Sequence, residues 1–219
     1  MLADRVRMGV SKNENIVYPL LIDDFEGGLS KWSDIPTLSS SYSITPTHRG
    51  RIGNCLFLNV TDGSPVGLCY GTTQGFTMSN GVKFSVWFTN DQPTDDAQGY
   101  IYFGMQDNSI NNCYRIEIDY GGTYIRIELN KIVDGVGTNI AFNNASITEY
   151  SFTNYWSKIE VEWHLDGTII VGVKNIPSSG ISFSVVDTTH SSGFIGLGGD
   201  SEKSITNNFF DDFVIEGDV

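Results

Sequence analysis

From about residue 20 onward, apolar and polar residues alternate along the chain. Residues 82–89 read Val-Lys-Phe-Ser-Val-Trp-Phe-Thr, with Val82, Phe84, Val86 and Phe88 on one side and Lys83, Ser85 and Thr89 on the other. A period of two marks a strand with one face buried. The pattern recurs at Ile101, Phe103 and Met105 against Tyr100, Tyr102 and Gly104, and at Ile159, Val161, Trp163 and Leu165 against Lys158, Glu160, Glu162 and His164. Ile181, Phe183 and Val185 alternate with Ser182 and Ser184, and Phe209, Phe213 and Ile215 share a face near the end. No stretch keeps helical spacing. Strands at intervals of about ten residues, with turn residues between them, predict an all-β sandwich or jelly roll.

The turns support this reading. Gly121-Gly122, Asp166-Gly167 and Asp134-Gly135 are hairpin signals, because tight hairpins need residues that tolerate positive φ. With Gly121-Gly122 as the turn, Glu117 faces Arg126 and Arg115 faces Glu128, while Ile116 meets Ile127 and Ile118 meets Ile125. Residues 1–19 lack the alternation and read as an arm or linker, with the sandwich domain spanning 20–219.

Composition narrows the function. The net charge is −13, which disfavours nucleic acid and anionic membranes, since binding phosphates needs clustered Lys and Arg. Neutral glycans, calcium and protein partners remain compatible. Cys55, Cys69 and Cys113 are odd in number and fit no zinc spacing. They are expected to be buried thiols, Cys55 and Cys69 flanking a hairpin with their positions offset. No segment is long and apolar enough to span a bilayer, and the opening residues lack the apolar stretch of a signal peptide.

Several stretches together resemble the concanavalin A-like lectin/glucanase superfamily, in its laminin-G-like and carbohydrate-binding-module branches. They are Ile22-Asp23-Asp24-Phe25-Glu26-Gly27-Gly28 with Trp32, the run Tyr155 to Trp163 followed by Asp166-Gly167-Thr168-Ile169, Gly193 to Gly198, and Phe210-Asp211-Asp212-Phe213-Val214-Ile215. The resemblance covers roughly residues 21–217 and implies two curved antiparallel sheets with the first and last strands adjacent, which narrows the fold to a two-sheet antiparallel jelly-roll β-sandwich. The segment Asp4-Arg5-Val6-Arg7-Met8-Gly9 resembles the openings of some phage structural proteins, which would place the protein on a virion surface.

The superfamily's retaining glucanases carry Glu-x-Asp followed shortly by a second Glu. Here Glu117-Ile118-Asp119 is followed by Tyr120, Gly121 and Gly122, so the second Glu is missing and no catalytic residue is assigned. Glu160, Glu162 and His164 share a face, as an ordinary solvated strand also would. His48 and His190 stand alone. If the terminal strands pair, Asp23, Asp24, Glu26, Asp211 and Asp212 converge and could hold one structural Ca²⁺, which takes hard oxygen ligands. Glycan binding needs aromatic rings beside amides and carboxylates. The candidates are Trp87, Tyr100, Tyr102, Gln106, Asp107, Asn112, Tyr114 and Tyr124. Arg5, Arg7 and Lys12 are candidates for docking the arm into a larger, homo-oligomeric assembly. The sequence therefore reads as a non-catalytic recognition or structural module, glycan-binding or surface-decorating. The alternatives are a glycoside hydrolase of the same superfamily and a packing domain without ligand.

Overall fold

The computed structural model describes residues 20–46, 53–60, 65–70, 77–90, 97–121, 124–146, 156–176, 180–201 and 206–219. It is a sandwich of two antiparallel sheets, each of eight strands. Sheet I runs in the order β14 (Ile181–Val186), β13 (Thr168–Lys174), β12 (Ser157–Trp163), β7 (Val82–Asn90), β16 (Thr206–Asp218), β4 (Asn54–Val60) and β3 (Tyr42–Pro46), and β1 (Leu20–Asp23) also pairs with β16. Sheet II runs β11 (Val136–Ser146), β10 (Tyr124–Val133), β9 (Cys113–Gly121), β8 (Ala97–Met105), β15 (Ser192–Ser201), β5 (Val66–Tyr70) and β2 (Trp32–Asp34), and β6 (Met78–Ser79) pairs with β15. The first and last strands are adjacent, Leu20 facing Ile215.

The main core lies between the sheets. Phe84, Val86 and Phe88 of β7 and Ile159, Val161 and Trp163 of β12 meet Ile101, Phe103, Tyr114, Ile116, Ile118, Ile125 and Ile127 from sheet II. Aromatic edges interlock at its centre. Phe103 lies 5.2 Å from Trp163 and 5.6 Å from Phe84, and Phe84 lies 6.1 Å from Phe213. Two smaller clusters sit outside the sandwich. One, on sheet II, contains Ile35, Cys69, Tyr100, Tyr102, Met105, Cys113 and Ile132. The other, on sheet I, contains Cys55, Trp156 and Phe209, with Phe57 and Trp87 against it.

Several local expectations change. In the β9–β10 hairpin Gly121 pairs with Tyr124, Ile127 with Ile118 and Glu128 with Glu117. The register is two residues from the expected one, so the faces are kept but the partners change. Glu117 faces Glu128, and the ion pairs run along each strand, Arg115 to Glu117 at 3.1 Å and Arg126 to Glu128. The loop after Trp163 is longer than two residues. His164 and Thr168 are hydrogen-bonded across it, Gly167 takes φ +85°, and Leu165 is 75% exposed instead of facing the core. Asp134 and Gly135, at φ +49° and +79°, form the tight turn joining Val133 to its partner Val136. Cys55 and Cys69 do not flank a hairpin, because β4 and β5 belong to different sheets. Both, like Cys113, are buried thiols, and burial pushes Cys69 and Cys113 up to about 12.

A bulge splits the last strand. The register of β16 on β7 slips between Asp211 and Val214, and Asp212 adopts φ +43°. One inserted residue reverses the alternation. Phe210, Phe213 and Ile215 therefore enter the main core, while Phe209 joins the outer cluster of sheet I. Phe209 and Phe213 do not share a face after all.

The free edges of β11 and β14 approach one another. Asn143 stitches them, its Nδ2 donating to Ser182 O at 2.7 Å and its Oδ1 accepting from Asn144 N at 2.8 Å. Such plugging limits edge-to-edge association. Where the chain crosses from β14 to β15, Asp187 accepts from Tyr114 Oη at 2.6 Å and from Lys131 Nζ at 2.7 Å. Burial opposes the Asp187 charge, but the bonds from Lys131, Thr189 and Tyr114 outweigh it and hold the carboxyl well below the usual range.

Two outcomes follow from this packing. A Cβ added at Gly99 would lie 2.4 Å from Phe88 Cε2, and that ring is fully buried, 5.0 Å from Phe210. Gly99→Ala is expected to lose about 1–3 kcal/mol in urea unfolding, and an unchanged midpoint would contradict the packing described. Because the Asp187 carboxyl is depressed in the folded state, its contribution is fully present above the unfolded value of about 4 and is lost progressively as pH falls from there through the lower folded value. Asp187→Asn should therefore be less stable than the parent at pH 7 and converge on it toward pH 2.

Candidate ligand-binding face

The alternation that buries Ile116 and Ile118 of β9 and Ile125, Ile127 and Leu129 of β10 turns their neighbours outward. Arg115, Glu117 and Asp119 stand beside Tyr124, Arg126, Glu128 and Asn130 on the outer surface of sheet II. Strand pairing arranges this surface in rows. Asp200, Gln98, Asp119, Arg126 and Asn144 face one another across five strands, as do Gly198, Tyr100, Glu117, Glu128 and Phe142. A third row contains Gly196, Tyr102, Arg115, Asn130 and Asn139. With strands about 4.8 Å apart, each row spans roughly 19 Å.

The rows grade from closed to open. Toward β5, Gly196 and Gly198 of β15 leave two of the rows without a side chain, and Tyr102 leans over Gly198, 3.0 Å from where a Cβ would sit. Tyr100 and Tyr102 are 4% and 1% exposed and belong to the outer cluster. Arg115 stacks on Tyr100 at 4.7 Å. Toward β11 the face opens. Phe142 is 59% exposed, with Arg126 lying 5.5 Å from its ring centre. Asn139 Nδ2 donates to Glu128 Oε2 at 2.6 Å, and Tyr124 Oη donates to Asp119 Oδ2 at 3.3 Å. The buried atoms Arg115 Nε, Arg126 Nε and Asn130 Nδ2 have no hydrogen-bond partner among the described residues. Unmatched donors of this kind carry a desolvation cost that an acceptor relieves.

The face is weighted toward acid, with Glu117, Asp119, Glu128 and Asp200 against Arg115 and Arg126. Burial pushes the Glu117 carboxyl above its usual range; Arg115 pulls it back, and the carboxylates of Glu128 and Asp119 add to the rise.

The structure divides the residues chosen from sequence. Tyr100, Tyr102 and Tyr124 lie on this face, the first two as buried packing rather than as open platforms. Tyr114 turns the other way, into the main core, where it lies 6.1 Å from Trp163. Gln106, Asp107 and Asn112 shape the loop between β8 and β9. Gln106 Nε2 donates to Gly104 O and Ser192 O, both at 2.8 Å. Asp107 accepts from Ser109, and Asn112 Oδ1 accepts from Asp134 N. Trp87 is on sheet I, on the far side of the sandwich. Arg5, Arg7, Lys12 and His48 lie outside the described residues. Sequence reasoning did not select Gln98, Asn130, Asn139, Phe142, Asn144 or Asp200. Phe142 and its neighbours sit on an edge strand whose weak alternation hides their common face.

The acids chosen for calcium do not gather. Asp23 accepts from Phe25 N through Oδ1 and from Trp32 Nε1 through Oδ2, at 2.8 and 2.7 Å. Asp24 caps Glu26 N, and Glu26 reaches Asn54. Asp211 Oδ1 accepts from Asp212 N. Among the described residues no group of three or more His, Cys, Asp or Glu side chains is arranged to hold a metal ion. Glu160 and Glu162 are spanned by Lys83, and His164 lies 3.4 Å from Glu162. The ring of His190 is buried against Ile132 O.

The strand order sets this architecture against known structures. The fold is the concanavalin A-like jelly roll. A carbohydrate-binding module (CBM66) from Bacillus subtilis superposes with a TM-score of 0.59 at 14% identity, covering 86% of this chain and 97% of that one. A glycoside hydrolase family 16 endo-glucanase from Bacteroides ovatus matches with a TM-score of 0.59 at 11% identity, over 88% and 97%. A legume lectin-like domain from Entamoeba histolytica matches at 0.53 and 8% identity, over 82% and 90%. The sequence matches no protein-family model and no curated protein sequence. At such identities the likeness concerns the fold, which hosts both binding and catalysis.

The electrostatics of the face can be measured directly. In a carboxyl NMR titration, Glu117 should ionise above the ordinary carboxylate range, and Glu128→Gln should bring it down. A Glu117 titration indifferent to Glu128 would contradict the pairing across β9 and β10.

Proposed function

We propose that this chain is a non-catalytic carbohydrate-binding module that takes its glycan on the outer face of sheet II. The observation that carries the reading is the open end of that face. An exposed Phe142 ring stands in one row with Glu117 and Glu128, and Arg126, Asn130, Asn139 and Asn144 stand beside it. A sugar offers an apolar patch ringed by hydroxyls. Each hydroxyl both donates and accepts, matching mixed carboxylate, amide and guanidinium groups. The acidic balance of the face, in a chain of net charge −13, favours a neutral glycan over a uronate or sulfated one. The carbohydrate-binding and lectin-like structures of the same fold support the reading.

Hydrolysis is the less favoured reading. A retaining pair needs two carboxyls about 5 Å apart, one of them free to act as the acid. Glu117 and Glu128 face each other, but each is held by a guanidinium of its own strand. Docking into a larger assembly through residues 1–19, where Arg5, Arg7 and Lys12 outnumber Asp4 and Glu14, completes the proposal.

A glycan array should show binding to neutral glycans without release of reducing ends. Phe142→Ala, at an exposed position, and Arg126→Ala, at a half-buried one, should remain folded and bind about two- to tenfold more weakly. A well-folded parent that is silent across the array would remove the proposal.

A further inference from the structure

The outer face of sheet I carries an open depression of about 370 Å³, lined by Ser85, Trp87, Lys158, Asp212, Val214 and Glu216. It spans three adjacent strands. Strand pairing sets Trp87 between Asp211 of β16 and Lys158 of β12. The indole is half-buried and backed by the cluster of Cys55, Trp156 and Phe209. It is therefore a fixed wall, and with Val214 it gives the depression its apolar surface.

The polar lining is already balanced. Glu216 accepts from Ser85 at 2.7 Å and from Lys158, and Lys83 lies 3.5 Å away. Lys158 also contacts Glu160 at 3.3 Å. A charged ligand would have to break one of these pairs and leave its partner unmatched. A neutral polyhydroxyl ligand can add hydrogen bonds to both members of a pair without separating them. Asp212, the residue at the bulge, holds a left-handed φ of +43°. Side chains other than glycine adopt this conformation at a cost, and strain of this kind gathers where a backbone is shaped for a ligand.

We infer that the Trp87 depression is a second sugar-binding site, which stacks a neutral pyranose or furanose ring on the indole and hydrogen-bonds it through Lys158, Asp212 and Glu216. The inference rests on the proposed glycan-binding role. It adds that one copy is bivalent. The two sheets pack about 10 Å apart, so the sites face in opposite directions and cannot hold the same stretch of glycan. One molecule then bridges two glycan chains, and binding to a polysaccharide gains from avidity.

The test is titration of the full chain with neutral hexasaccharides of β-1,3-glucan, β-1,4-glucan, mannan and galactan. It is followed by calorimetry and by the indole N–H signal of Trp87. The expected result is two sites per chain for at least one of these probes, with a shifted Trp87 signal. Trp87→Ala should remove one site and leave the Phe142-dependent one. Since Trp87 also packs against a buried cluster, Asp212→Gly provides a second variant. Glycine accepts the left-handed backbone, so this variant should stay folded and weaken the same site several-fold. A single site abolished by Phe142→Ala and indifferent to both sheet I variants would overturn the second site and leave the proposed function standing. A single site abolished by Trp87→Ala alone would uphold this site and overturn the sheet II face. Absence of binding by every probe would overturn both.

Discussion

Two sheets, each apolar on one face, have to cover those faces against each other. Nearly everything else in this protein follows from that burial. The aromatic contacts around Phe84, Phe103, Trp163 and Phe213 hold the layers in one relative position. Because strand side chains alternate strictly, each residue committed to the core sends its neighbours outward. The core thus fixes the composition and geometry of both outer faces. At β9 and β10 it leaves Arg115, Glu117, Asp119, Arg126 and Glu128 no alternative to the outer surface.

The outer faces are then finished by different means. On sheet II, Gly198 leaves room for the Tyr102 ring, and a satellite cluster closes one end while the end toward β11 stays open. On sheet I, the bulge at Asp211 and Asp212 changes which side of β16 each residue occupies. It sends Phe209 out to support Trp87 and Phe213 in to the core. One extra residue thereby both completes the interior and shapes the depression on the far surface. Both candidate sites lie on paired strands rather than on long loops, which gives them the positional precision that recognition of a ringed polyhydroxyl ligand requires.

Charge distinguishes the two outer faces. Glu117 is raised by burial and by the carboxylates around it, whereas Glu216 is lowered, its burial outweighed by Lys158, Ser85 and Lys83. One face therefore holds a carboxylate raised by its surroundings, near three donor atoms with no partner among the described residues. The other holds a saturated ion-pair network. Under the proposed glycan-binding role, both faces would take an uncharged ligand, the second because a charged one would have to break an ion pair.

Period-two alternation determined the strands, and with them the fold class and the identity of most core residues, because burying one face is a local property of each strand. The Asp134-Gly135 turn was legible for the same reason: its backbone requirement is met by the two residues themselves. Register was not local. The pairing of Glu117 with Glu128 instead of Arg126 preserves the faces, so alternation could not distinguish the two, and the closing pair Gly121 and Tyr124 decided it. The bulge in β16 and the placement of Trp87 and Tyr100 on opposite sheets were likewise beyond the sequence. Each depends on which distant strand lies alongside, and only the packed structure brings residues as far apart as Arg115, Phe142 and Asp200 onto one surface.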